Sequence, residues 1–428
     1  MNGVDLIELA RLFVALALLF VVARCVGRLF VYFHQPRVIG EIVGGLLLGP
    51  TFLSSLFPAL SRMAFPSAGF VPGALSVVSQ LGLILLMFTS GTELRSFLQR
   101  GERKIVAVLT ATGTILPFLA GLVLVLIVDT KQQEGPAGNR TAFILVFACA
   151  IAVTSIPVIS RIMLDLKILH TKFARIVLTT AVFEDIVLYV VLAVALGLVS
   201  QGNETSLAAF LGPSFNTSLK PVYHLVITFL FFAAVLVVGP LVLRRLLKVR
   251  FLSSLKVSSL VLQLLFLFVV VGLSIVLGVT PVFGAFAAGI VAGRMGDESE
   301  IEARETIKWF SLASFIPIYF AFVGFRLDLI QNLSLSFLLF FLLSSCLIKG
   351  FSIYTGARAA GKPHAGALNL AVALNARGGP GIVIASLAFD AGIISQGFFA
   401  ILVLVAVLTS LIAGSWLGHI ARRGESFL

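Results

Sequence analysis

Apolar runs of about 20 residues follow one another from the start of the chain to its end, separated by short breaks rich in charge, Pro or Gly. Each run is long enough to cross the hydrocarbon of a bilayer as a helix, so the chain has lipid for its solvent over nearly its whole length. Only 12% of its 428 residues are charged and 59% are hydrophobic, against roughly 25% charged in a soluble domain. A soluble enzyme, a secreted disulfide scaffold and a disordered chain are excluded. The expected fold class is an all-α polytopic membrane protein.

The pattern predicts thirteen helices, near 8–27, 38–56, 73–94, 104–128, 141–163, 173–199, 220–243, 255–277, 279–293, 308–325, 333–354, 364–389 and 396–420. Beyond Arg422 and Arg423 too little sequence follows for a soluble C-terminal domain. The net charge of +12 would suggest nucleic acid as the partner of a soluble protein. Here its distribution gives another reason: the odd-numbered loops and the C-terminal tail hold 23 of the 31 Lys and Arg, and the even-numbered loops hold five. That bias expects the N-terminus outside and the C-terminus in the cytoplasm, in a bacterial inner membrane. Cys25, Cys149 and Cys346 lie far apart in apolar runs, which reads as three small core residues.

An ionisable side chain at mid-membrane costs at least ~2.5–3.5 kcal/mol, so one that persists there faces a pathway and has a partner. Glu184 and Asp185 stand midway along the sixth helix, in AVFEDIVLYVVL. Adjacent residues on a helix point about 100° apart, so one carboxylate can face a cavity while the other faces a neighbouring helix. A carboxylate poised between desolvation and a nearby cation can trade a proton for a metal ion; the competing reading is that the pair glues helices together. Lys349, in LLSSCLIKGFSIYTG, is a candidate partner if it reaches the core instead of snorkelling to an interface.

Two further helices read as interrupted: the fifth at Thr154-Ser155-Ile156-Pro157, and the twelfth at Asn375-Ala376-Arg377-Gly378-Gly379-Pro380-Gly381. Broken helices at membrane depth expose carbonyls and helix ends that bind ions, and matched breaks in two halves of a transporter point to a midplane site between inverted repeats. Arg377 could neutralise carboxylates or a helix end there, or lie at the cytoplasmic mouth. Glu41, in VIGEIVGGLLLGP, reads equally as structural or as part of a pathway. The segment Asp297 to Glu305 reads as a solvated interfacial stretch, and Gly356 to Pro363 imitates a phosphate loop without its hydroxyl or its strand. No nucleophile, dinucleotide fingerprint or paired-histidine site is visible, so neither an enzyme nor a cofactor is expected.

Taken together, QPRVIGEIVGGLLLGP at 35–50, LMFTSGTEL at 86–94, TSIPVISRIMLDLKIL at 154–169, the acidic pair, TPVFGAFAAGIVAGR at 280–294, FIPIYFAFVGFRLDL at 315–329, IKGFSIYTGARAAG at 348–361 and NARGG at 375–379 resemble the monovalent cation/proton antiporters, in the branch of bacterial Kef-type systems and plant cation/proton exchangers. The resemblance implies a homodimer with a sodium/proton antiporter-like fold, inverted repeats and two crossed discontinuous helices. It also implies ion-binding core helices near 73–199 and 308–420 and dimerisation helices near 8–56 and 220–293. Carried over, Asp185 looks like the central cation- and proton-binding carboxylate, Glu184 like the preceding position of the same monovalent-cation site, Lys349 like its partner, and Thr154, Ser155 and Arg377 like parts of the crossover, with Thr154 and Ser155 counted among the cation- and proton-binding residues and Arg377 as a charge partner. Two departures stand out: Glu184 stands where relatives often have Asp, Asn or Gln and reaches one methylene further than Asp, and Pro380-Gly381 replaces a glutamate that relatives often carry. The function this implies is exchange of Na+ or K+ for protons by alternating access. A K+ channel of the same fold, or a relative recruited to bind or modify a hydrophobic small molecule, are the alternatives.

Overall fold

Short polar side chains at the ends of the apolar runs fix where helices begin. Asn139 Oδ1 accepts the Ala142 N–H at 3.0 Å, Ser395 Oγ accepts the Phe398 N–H at 3.3 Å, and Asp297 and Glu300 form a reciprocal capping box. The computed structural model describes residues 5–33, 35–66, 68–93, 102–169, 171–199, 220–248, 258–330 and 333–428.

In order, the helices are α1 (Leu6–Tyr32), α2 (Arg37–Leu48), α3 (Pro58–Ala64), α4 (Phe70–Glu93), α5 (Arg103–Thr110), α6 (Leu116–Ile127), α7 (Arg140–Ala152), α8 (Ile156–Asp165), α9 (Lys172–Val199), α10 (Lys220–Lys248), α11 (Ser259–Val276), α12 (Pro281–Gly293), α13 (Glu298–Ala313), α14 (Phe315–Phe325), α15 (Leu335–Ala359), α16 (His364–Ala373), α17 (Gly378–Asp390) and α18 (Gln396–Arg423). Among the described residues, eleven helical stretches are long and apolar enough to span a bilayer, and two shorter apolar helices, Arg140–Ala152 and Pro281–Gly293, take the fifth and ninth places of the expected series. α5 and α6 form one stretch through a π-helical turn at Ala111–Ile115. The predicted breaks are real: the fifth segment divides into α7 and α8, and the twelfth into α16 and α17.

Two points go beyond or differ from the sequence reading. The acidic stretch 297–305 is largely exposed, as read, and it opens α13, because the capping box starts a helix whose buried positions Glu300, Ala303, Ile307 and Ser311 recur at helical spacing. Cys149 is buried and Cys346 partly so, but Cys25 lies on the exposed side of α1, where a small polarisable side chain costs little against lipid.

Packing sorts the helices into two groups. α4 lies against α12 and α14, and α14 against α2 and α1; α5 to α9 pack with one another and with α15 to α18. Among the described residues the substantial backbone packing between the groups runs through α10, which touches both α9 and α12. The third and tenth segments thus have their main backbone packing with each other and with α1, α2 and α12, rather than with α5 to α9. Within the first group, backbones touch at glycine. A Cβ on Gly45 would overlap the Ala321 carbonyl, and one on Gly324 would overlap the Ile42 carbonyl. Without a hydrophobic drive between helices in lipid, such close approach supplies the dispersion contact that joins them. The second group is consolidated by rings: Phe147 stacks on Phe398 at 5.7 Å and meets Phe341 edge-on at 5.2 Å, joining α7, α18 and α15.

Gly324→Val forces the α2 and α14 backbones apart and is expected to cost more than the ~1–3 kcal/mol of ordinary overpacking. Thermal unfolding in detergent measures this; Gly73→Val, which meets nothing within 4 Å, is the control and should melt with the unmodified protein.

Candidate functional site

Both helix breaks meet at one crossing, and the chain satisfies the freed backbone groups reciprocally. The Ser155 N–H donates to the Ala376 carbonyl at 2.7 Å, Thr154 Oγ1 donates to the Leu374 carbonyl at 2.6 Å, and the Gly379 N–H donates to Ser155 Oγ at 3.0 Å. Thr154 and Ser155 therefore tie α7–α8 to α16–α17. Pro157, in the first turn of α8, sits where a helix needs no N–H. Four helix ends converge here: the negative carboxyl ends of α7 and α16, and the positive amino ends of α8 and α17.

Two buried cations lie at the carboxyl end of α7. Arg377, 2% exposed, donates to the carbonyls of Ile151 at 3.2 Å and Ser345 at 2.9 Å. Lys349, with no exposed surface, donates to the Ala152 carbonyl at 2.5 Å, the Gly113 carbonyl at 2.7 Å and Glu184 Oε2 at 2.9 Å. Of the alternatives left open by the sequence, the geometry selects the core for Lys349 and the helix end for Arg377.

Glu184 and Asp185 diverge as their helical spacing requires. Glu184 is fully buried and turns to Lys349. Asp185 shares a face of α9 with Tyr189, four residues on. The Tyr189 hydroxyl donates to Met87 Sδ on α4 at 3.4 Å, and its ring lies 5.9 Å from that of Phe286 on α12. Asp185 thus stands on the side of its group that faces the other group, 3% exposed. Two carboxylate oxygens, Glu184 Oε1 and Asp185 Oδ1, are buried with no hydrogen-bond partner among the described residues. A buried carboxylate oxygen in that setting is satisfied by a proton or a cation. Asp185 with its neighbours could hold a monovalent cation; Glu184 already shares Lys349.

Glu41 is elsewhere. It pairs with Arg37 at 3.2 Å on α2 and packs against Gly27 of α1, within the first group. Sequence reasoning missed Gly113, Ser345, Cys346 and Thr409, which supply the carbonyls, the sulfur and the hydroxyl around Lys349 and Arg377. The run Thr110 to Thr114, small and polar before Pro117, is the only signal for the turn that presents Gly113.

Removing one partner of a buried pair costs ~3–5 kcal/mol by leaving a lone buried charge. Lys349→Met is expected to lower the melting temperature markedly at neutral pH, and the double change Lys349→Met with Glu184→Gln to recover most of that loss. Differential scanning fluorimetry of the purified variants checks both.

The family profile described as sodium/hydrogen exchanger, transmembrane, matches residues 7–423. The chain is 30% identical over 418 residues to the Na(+)/H(+) antiporter NhaS4 of Synechocystis, covering 95% of each chain. It is 27% identical to the Na(+)/H(+)-K(+) antiporter GerN of Bacillus cereus, covering 94% of each. It is 28% identical to K(+)/H(+) antiporter 1 of Saccharomyces cerevisiae, of which it spans 43%. In fold it is similar to the sodium proton antiporter MjNhaP1 of Methanocaldococcus jannaschii at pH 8, with a TM-score of 0.66, 18% identity and coverage of 97% of this chain and 99% of that one. A profile that matches nearly the whole chain, on a fold whose broken helices cross beside two buried acids, makes this chain a member of the sodium/hydrogen exchanger family of multi-pass membrane proteins.

Proposed function

We propose that this protein exchanges Na+ or K+ for protons across the membrane, with Asp185 as the seat that cation and proton occupy in turn. The observation that carries this is the buried Asp185 Oδ1, which has no donor among the described residues and lies where the two helix groups face each other. Beside it, Lys349 already balances Glu184, so a charge on Asp185 needs a mobile partner. A proton and an alkali cation compete for one carboxylate, and that competition couples their fluxes. Relatives whose names specify Na(+)/H(+) and K(+)/H(+) antiport support the substrate class.

In this reading the mobile core is α5 to α9 with α15 to α18, and α1, α2, α4 and α11 to α14 form the scaffold, with α10 as the link. Drawn this way the core segments begin at 103 and 335 where the sequence reading began them at 73 and 308; the close backbone approach of α4 and α14 to other scaffold helices supports that choice. Two copies meeting through their scaffolds give the core a fixed frame to move against. The Lys and Arg bias orients the C-terminus to the cytoplasm. At the expected external end, Arg326 of the scaffold pairs with Asp390 of the core at 2.6 Å and lies over the Phe389 ring at 4.9 Å. This clasp spans the two groups and opens when Asp185 faces outward. Movement of one group against the other changes which face reaches the acid, as alternating access requires.

In proteoliposomes with an imposed pH gradient, added Na+ or K+ should dissipate the gradient, while Asp185→Asn should fall to the background of empty vesicles and still elute and melt as a folded protein. Exchange at the unmodified rate by Asp185→Asn would refute the assignment.

A further inference from the structure

The crossing and its carboxylates account for α7, α8, α9 and α16 to α17, but not for the irregular turn in the fourth span. At Ala111–Ile115 the helix widens to a π turn, and Gly113 stands in the middle of it. Two separate observations fall on this glycine. Its carbonyl accepts from Lys349 Nζ at 2.7 Å. Its α-carbon lies directly against the acid: a Cβ built there would overlap Glu184 Oε1 and Ile353 Cδ1. Turns of this kind occur where an extra residue re-aims the backbone within a helix.

The length of the acidic side chain explains the need. Glu184 reaches Lys349 through Oε2 at 2.9 Å, and its other oxygen, Oε1, is left against the α5–α6 turn with no hydrogen-bond partner among the described residues. An Asp at position 184 would end one methylene earlier and would not reach the place a Cβ on residue 113 would fill. The neighbouring helix is equally close: a Cβ on Gly356 of α15 would overlap Thr112 Oγ1. The turn therefore has no freedom to retreat.

We infer that Gly113 is a positioning residue matched to Glu184: by lacking a side chain it makes room for the longer acid, and with its carbonyl it holds Lys349 in line with that acid. The specificity is between the two positions. This chain takes Glu at 184 because it has Gly at 113. The inference rests on the reading of Glu184 and Lys349 as parts of the exchange site, but its structural half does not depend on transport.

The test is a four-member cycle of the full-length protein: unmodified, Gly113→Ala, Glu184→Asp and both together, read by melting temperature and by exchange in proteoliposomes. At an ordinary helix position Gly→Ala stabilises, since Ala is the better helix former. With Glu184 present, Gly113→Ala is expected to lower the melting temperature by about 3 °C or more and to reduce exchange roughly tenfold or more, as contacting residues couple. With Asp at 184 the same change is expected to leave the melting temperature level or higher, and to leave exchange no lower than that of Glu184→Asp alone. Repeating the cycle in an Ile353→Val background removes the overlap with Cδ1 and should preserve the coupling. Equal losses from Gly113→Ala in both backgrounds, or no loss with Glu184 present, would overturn the inference. If the unmodified protein moves no cations, the proposed exchange function fails, and the melting cycle alone decides this one.

Discussion

Lys349 has no exposed surface, and its ammonium donates to three acceptors on three different segments: the Gly113 carbonyl in the π turn, the Ala152 carbonyl at the end of α7, and Glu184 on α9. A buried ammonium is tolerated only when its hydrogen bonds are all taken and its charge is balanced. Each partner gains in return. The α7 carboxyl end is satisfied where the helix stops, the acid is neutralised, and the π turn has a use for its carbonyl. Remove the lysine, and a broken helix, a buried carboxylate and an irregular turn all lose their justification at once. Arg377 completes the arrangement by covering the Ile151 carbonyl from the other side.

This explains why the second acid is the available one. With Glu184 holding the Lys349 ion pair, Asp185 turns one helical step away, to the face of α9 on which Tyr189 meets Met87 of α4 and Phe286 of α12. Its charge is then balanced by whatever arrives. In the proposed exchange, the frame for such a site is the group in which glycine-mediated backbone contact locks α2 to α14; the backbone packing that joins it to the acid-bearing group runs through α10, and side chains meet across the groups at Tyr189–Met87 and Arg326–Asp390.

Much of this was legible before any coordinates. Apolar run length pointed to helices because an uninterrupted apolar run of about 20 residues satisfies its backbone in lipid as a helix, and Pro157 and the Gly378 to Gly381 stretch marked the breaks because a regular helix does not readily pass through them. Glu184, Asp185 and Lys349 stood out because ionisable groups are rare at that depth. What the sequence withheld depends on neighbours distant in the chain. Thr154 and Ser155 read from sequence as part of the crossover and its cation site, but the bonds by which they also stitch the broken helices together were hidden, since those partners are more than 200 residues away. The grouping of α4 and α14 depended on close approach at Gly45 and Gly324, which no local pattern distinguishes from other small residues. Gly113 was silent because its role is to be absent where another side chain stands.

The central claim is that one carboxylate is shared by a proton and an alkali cation. Isothermal titration of Na+ or K+ into the purified protein, in two buffers of equal pH and different ionisation enthalpy, measures it directly. The account predicts that the binding heat differs between buffers in proportion to protons released as the cation takes its place; a binding heat that is the same in both, with the cation bound and no proton displaced, would contradict it.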